Sequence, residues 1–260
     1  MCGIDKKQAK AAFEDYVSHY ALNDERVKLK VDHTYRVAEL CERIAKEISC
    51  TQEEMELVWL IGLLHDFGRF EQLRRYDTFM DAKSVDHGQL GVELLFKEGY
   101  IRRFIDTFDY DVIIQKAIWY HSVYQLPEEL TGKERMFSQI LRDADKIDIL
   151  KVNVEVPIEV IYGAKKEEVK CAVVTGEVMT QFLKYQTILH STKKTIVDRL
   201  VGHLSLVFGL EYAVGVQIVK EQGYLEKIFA FQSDNPKTRQ QFEEIRECIE
   251  QYLILRGGEK

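Results

Sequence analysis

The sequence predicts an all-α fold, and three observations carry that expectation. Proline, which removes an amide and clashes inside a helix, occurs only at Pro127, Pro157 and Pro236 in 260 residues. Apolar residues recur at spacings of three and four through most of the chain, the period of a helix with one buried face. Helix-start signals stand where such runs begin. Thr51-Gln52-Glu53-Glu54 has the form of a capping box, and Asn235-Pro236 puts Asn at a cap and Pro at the first helical position.

Taken in order, Ala9, Ala12, Phe13, Tyr16 and Val17 mark an amphipathic helix near 6–20. Val37, Leu40, Cys41, Ile44, Ala45 and Ile48 mark a second, from about Val31 to Ile48. The helix opened by Thr51 runs through Leu57-Val58-Trp59-Leu60-Ile61-Gly62-Leu63-Leu64, which is apolar on all sides and therefore expected at the centre, with Gly68 as its stop. Ser84 is expected to cap a helix ending at Gly99, Asp111 to open one through Ala117-Ile118-Trp119, and another to span about Glu134 to Leu150. Val152-Asn153-Val154-Glu155-Val156 alternates in β fashion, so a short extended connector is expected there, and the residues after it look helical. Helical periodicity resumes over about 178–190, 194–208, 210–222 and 236–255. No repeat or linker divides the chain, so one domain over 1–260 is expected, with a core at about 30–150 and a helical extension at 151–260 packed on it.

Composition removes several functional classes. With 46% hydrophobic and 30% charged residues the chain is an ordinary globular one. Its net charge of -7 opposes a bulk grip on nucleic acid, which needs surplus Lys and Arg to displace counterions. No run approaches bilayer length and the first residues, Met1 to Lys6, hold no apolar leader core, so no membrane partner and a cytoplasmic location are expected. The five cysteines (Cys2, Cys41, Cys50, Cys171, Cys248) form no C-x-x-C pair and read as reduced thiols. Gly3, Gly257 and Gly258 form no phosphate loop.

Chemistry concentrates in a few histidines and aspartates. His33 lies on the buried stripe of its helix, four before Val37 and seven before Leu40. His65-Asp66 ends the most apolar helix, where an ionisable pair is costly to bury unless it binds a cation. His87 shares a face with Gly91 and Leu94, and His121 shares one with Ala117 and Ile114. Asp143 and Asp145 fall at the edge of the stripe made by Met136, Phe137, Ile140, Leu141, Ala144 and Ile147, and periodicity does not choose between them. A single histidine on an apolar stripe is usually a core residue; four on separate helices beside an aspartate have no such simple account.

Three strings, His33-Thr34-Tyr35-Arg36-Val37-Ala38, Leu63-Leu64-His65-Asp66-Phe67-Gly68-Arg69 and Arg142-Asp143-Ala144-Asp145-Lys146, resemble the H…HD…D pattern of the HD metal-dependent phosphohydrolase superfamily. The resemblance implies an HD-domain helical bundle and places the last ligand at Asp145, with Asp143 beside it in a supporting role. His87 in Asp86-His87-Gly88-Gln89-Leu90-Gly91 and His121 in Trp119-Tyr120-His121 look like the two extra histidines of two-metal members. No second histidine follows His121, so the cyclic-di-GMP phosphodiesterase subgroup is not matched.

The implied metal ligands are thus His33, His65, Asp66, His87, His121 and Asp145. This set of imidazoles and carboxylates without thiolate suits one or two divalent ions of iron, manganese, zinc or cobalt, magnesium less well. Asp66 is expected to bridge two ions, with His33, His65 and Asp145 on one and His87 and His121 on the other. Asp66, Arg69 and Lys146 are the candidate catalytic groups, the two cations facing a phosphate; an ion pair or helix-end charge accounts for either cation equally well. Asp143 or Asp148 can orient a ligand imidazole.

The expected reaction is hydrolysis of a small phosphorylated molecule, such as a nucleotide. The alternatives are a diiron oxygenase of the same superfamily cleaving a C–P or C–C bond, and a non-catalytic metal-bound sensor. Residues 151–260 carry no motif and are free to line a pocket or form a homo-oligomer interface. His19, His190 and His203 read as structural or exposed, and Lys165-Lys166-Glu167-Glu168 as a solvated helix face.

Overall fold

In the computed structural model, which describes residues 4–257, helices make up the regular structure and no strand occurs among the described residues. Cys2, Gly3 and Gly258, and the first three residues of the Met1 to Lys6 segment read for a leader core, lie outside them. None of the described helices is long and apolar enough to cross a membrane. The chain divides into two compact units, 1–144 and 145–260.

The first unit opens with α1 (Lys6–Ser18), capped by the Asp5 carboxylate on the amides of Lys7 and Gln8. Next comes α2 (Glu25–Glu47), capped by Asp24 and presenting His33, Val37, Leu40, Cys41 and Ile44 on its buried face. Thr51 and Glu54 form the predicted capping box on α3 (Gln52–Leu64), where every residue from Leu57 to Leu64 is buried. Each large aliphatic side chain of that run contributes about 1.5–3 kcal/mol by leaving water, so α3 anchors the unit.

α2 and α3 pack at very short range because of Gly62. A Cβ there would lie 2.7 Å from the Ala38 Cα, so any other residue would drive the two backbones apart. The chain does not stop at Gly68 as expected. His65 and Asp66 turn it directly into α4 (Phe67–Tyr76), and Gly68 serves instead as the contact surface for the next helix. A Cβ on Gly68 would meet the His87 carbonyl oxygen at 2.3 Å.

That next helix, α5 (His87–Val92), is capped by Asp86 through the Gln89 amide, not by Ser84. It runs on as a π-helical turn (Glu93–Lys97), and Gly99, at φ 83°, ends it where expected. Then come α6 (Asp111–Tyr120), packed on α3 and α5, and α7 (Gly132–Glu155), within which the division between the units falls. The predicted connector at 152–156 is a correction: α7 continues through Glu155, and Pro157 stops it. Local β-type alternation lost to the uninterrupted amide ladder of a helix already under way.

The second unit holds short helices: α8 (Ile158–Tyr162), α9 (Lys166–Cys171), α10 (Gly176–Phe182), α11 (Ile196–Leu204), α12 (Ala213–Gln222), α13 (Tyr224–Phe229) and α14 (Pro236–Gly257). α8 and α9 stand where the residues after Val156 and the Lys165-Lys166-Glu167-Glu168 stretch read as helical, whereas α13, only six residues long and too short to show a period, was missed. Asn235 caps α14 as predicted, accepting from the amides of Lys237 and Thr238. Val169, Val178, Phe182, Val201, Leu204, Ile245 and Ile249 are fully buried within this unit.

Candidate metal centre

The first unit brings His33, His65, Asp66, His87 and His121 together, all 5% exposed or less. The five come from four places: His33 from α2, His65 and Asp66 from the α3–α4 turn, His87 from the start of α5 and His121 from the end of α6. Asp66 sits at the middle of the group, and its two oxygens face different partners. Oδ2 lies 3.5 Å from His65 Nε2 and 3.7 Å from His33 Nε2. Oδ1 lies 3.5 Å from His87 Nε2 and 4.0 Å from His121 Nε2. Two triads of metal-ligating atoms result, His33–His65–Asp66 and Asp66–His87–His121, sharing the carboxylate.

Supporting hydrogen bonds fix which imidazole nitrogen faces inward. His65 Nδ1 donates to Gly62 O at 2.7 Å, and His121 Nδ1 donates to Ile118 O at 2.7 Å. A carbonyl only accepts, so both Nδ1 atoms carry the proton. His87 Nδ1 donates to the Asp81 carboxylate at 2.7 Å. Burial works against the Asp81 anion, but the His87 hydrogen bond and the Arg69 charge hold its carboxyl below the usual range. Burial, aided by Arg69, in turn pushes the His87 imidazole below its ordinary value despite Asp81 and Asp66.

The inward Nε2 atoms of His87 and His121 therefore present lone pairs to each other at 2.8 Å. Such a contact is repulsive unless a cation lies against both. His33 Nε2 and His65 Nε2, the latter with its lone pair inward, approach to 3.3 Å. Two donors bound to one ion at about 2.1 Å stand roughly 3.0–3.4 Å apart, depending on coordination angle. The distances in both triads, from 2.8 to 4.0 Å, bracket this spacing, and a donor set of imidazole and carboxylate fits a divalent transition metal.

Two further side chains serve the group, Lys30 by pairing with Asp66 and Asp81 by holding His87 and Arg69, and neither was marked as a site residue by the sequence. Lys30 Nζ lies 2.6 Å from Oδ2. It stands one turn before His33 on α2, and that i, i+3 relation was the available signal. Asp81 comes from a single turn between α4 and α5, where no periodicity points to it. Burial would raise the Asp66 carboxyl, but Lys30, His65 and Arg69 together hold it well below the usual carboxylate range.

Arg69 is itself locked in place. Its Nη1 donates to Asp81 (2.8 Å), Gln72 Oε1 (2.8 Å) and Phe79 O (2.6 Å), while Nε stands 3.6 Å from Asp66 Oδ1. Arg142, in the third motif string, donates to the carbonyls of Tyr120 (3.2 Å), His121 (3.0 Å) and Val123, which pins the end of α6 beneath His121. Asp86, also near His87, is occupied by the Gln89 amide.

The remaining predicted residues lie along α7. Asp143 and Asp148 are buried and Asp145 is half-buried. Asp145 and Lys146 begin the second unit, where Lys146 Nζ donates to Gly209 O.

Comparison with protein-family models matches residues 31–151 to the HD domain. That stretch is an HD domain. Searches of curated proteins and of solved structures return no match. The HD domain begins within α2, just ahead of His33, and ends within α7, past Asp145. HD domains bind divalent metals and are in general metal-dependent hydrolases, and the two His–Asp triads fit a metal-binding HD site.

Proposed function

We propose that this protein is a metal-dependent phosphohydrolase acting on a small phosphorylated molecule, with two divalent ions as its cofactor. One observation carries the reading: Asp66 turns one oxygen to His33 and His65 and the other to His87 and His121. His33, His65 and Asp66, joined by Asp145 as the motif implies, would hold one ion; Asp66, His87 and His121 would hold the other. Bound ions of this kind supply a water that loses its proton near neutral pH and Lewis acidity toward a phosphoryl oxygen.

The chain's own residues do the rest. His65 and His121 keep their Nδ1 protons on backbone carbonyls, and His87 keeps its proton on Asp81, so three Nε2 lone pairs stay turned inward. Burial strips bulk water from the site and strengthens each charge interaction there. Arg69, held rigid by Asp81, Gln72 and Phe79, presents fixed positive charge beside Asp66, suited to the negative charge that grows on a phosphoryl group in transfer. Lys30 adds a second cation on the other side of the carboxylate. Lys146, which spends one of its three N–H donors on Gly209 O, is the third candidate cation.

The test is phosphate release from a panel of nucleotides and sugar phosphates by protein loaded with manganese, iron, zinc or cobalt, run without oxygen. Metal-dependent release that is absent in Asp66→Asn supports the hydrolase. Turnover that requires oxygen, with organophosphonates or polyols consumed, replaces it with the oxygenase. Retained metal with no turnover of any substrate leaves a sensor.

A further inference from the structure

The second unit contains a cleft of about 700 Å³ that the metal-centre reading does not use. It is built wholly from residues 153–232, and its size is that of pockets for small-molecule ligands. Lys166, Lys170 and Lys227 line it, against one carboxylate, Glu159. Lys166 and Lys170 stand four apart on α9 and so share a face, while Lys227 comes from α13. Among the described residues none of the three forms an ion pair. In a chain of net charge -7 this is a local reversal of sign. Lys166 lies on an exposed helix face, as expected, and that face borders the cleft.

The cleft is as apolar as it is basic. Val156, Leu200, Ile228 and Phe231 line it, the Phe231 ring tilted against Phe242 at 5.1 Å. Its polar wall is held in advance. Asn153 Nδ2 donates to Ile149 O at 2.7 Å, the Tyr162 hydroxyl donates to Asn153 Oδ1, and His203 Nδ1 closes the group 3.0 Å from that hydroxyl. The Lys170 carbonyl accepts from Ser233 Oγ (2.7 Å) and the Asp234 amide (3.0 Å), tying α9 to the segment that carries Phe231. Cations without carboxylate partners beside an aromatic face are what a phosphate attached to a flat ring requires.

We propose that this cleft binds a phosphorylated small molecule of mononucleotide size, its phosphates among Lys166, Lys170 and Lys227 and its ring against Phe231. The assignment is independent of the metal centre. It is tested by calorimetric titration of the full chain with ATP and with inorganic pyrophosphate, in chelator so that metal-held phosphate does not contribute. Saturable binding of ATP is expected, weaker binding of pyrophosphate, and a steep loss of both with added salt.

Replacing Lys166, Lys170 and Lys227 together by Met, which keeps the aliphatic stems, should weaken ATP at least ten-fold. Phe231→Ala should weaken ATP but not pyrophosphate. Lys165→Met, on a lysine outside the cleft lining, and His65→Ala, in the metal centre, should leave ATP binding unchanged. Circular dichroism shows whether the triple variant folds; if it does not, Lys166→Met and Lys227→Met singly, at two exposed positions, should each still weaken ATP. No saturable ATP binding, or binding indifferent to the lysines, overturns the proposal. Pyrophosphate bound as tightly as ATP overturns the ring contact.

Discussion

The two sides of Asp66 are built differently. The Oδ2 side draws His33 and His65 from two long helices, α2 and α3, pressed together at Gly62, and adds the ammonium of Lys30. The Oδ1 side draws His87 from a six-residue helix and His121 from the last turn of α6, and adds the guanidinium of Arg69. On the first side, position comes from a large buried helix interface. On the second it comes from polar contacts: Asp81 holding His87, Arg142 holding the end of α6, and Gly68 admitting the backbone of α5. If each side holds an ion, as proposed, the first is set by packing and the second by hydrogen bonding, so the two should fail separately.

The shared carboxylate is the strongest point at which to break this. Asp66→Asn removes the charge seen by both sides, so metal analysis should find neither ion and activity should fall by about a thousand-fold or more. Retention of both ions would end the bridging reading. Next in size, His65→Ala and His87→Ala should each reduce two ions per chain to one, from opposite sides of Asp66, with activity down by about a hundred-fold. If either variant loses both ions the two sides are not separate.

Asp81→Asn tests the hydrogen-bonded side alone. It leaves His87 with a neutral partner and should weaken the second ion about 10–100-fold in a metal titration while sparing the first. Equal weakening of both would remove the distinction drawn here. The smallest effect is expected at Lys30, whose ammonium occupies the Oδ2 oxygen that a divalent ion needs. Lys30→Met should tighten the first ion by up to about ten-fold, read by competition with a chelating dye, and should raise KM for an anionic substrate. Weaker metal binding in this variant would show that Lys30 supports the site instead of competing for it.

Much of the HD domain was legible before the fold was known. The buried run Leu57–Leu64, the capping box at Thr51 and the stripe bearing His33 are local features, because helix periodicity and caps act within a turn or two. Four histidines and Asp66 were legible for the same reason, as costly polar groups on apolar faces. What escaped lies where no period exists. Asp81 sits on a single turn of three residues, and the short helix α13 offers too few positions to show a face. Gly68 was misread because a glycine after an apolar helix ordinarily ends it; here it marks contact with a helix nineteen residues on in the chain.

The amino-acid sequence by itself determined the helical class and singled out four histidines and Asp66 as costly polar groups on apolar faces, since each depends on residue type and near neighbours. Only the tertiary structure decided that Asp66 divides its oxygens between two histidine pairs, that Lys30 and Asp81 serve them, and that three lysines border one cleft. Those relations join residues far apart along the chain, and they exist only once buried helix faces have fixed the distances between them.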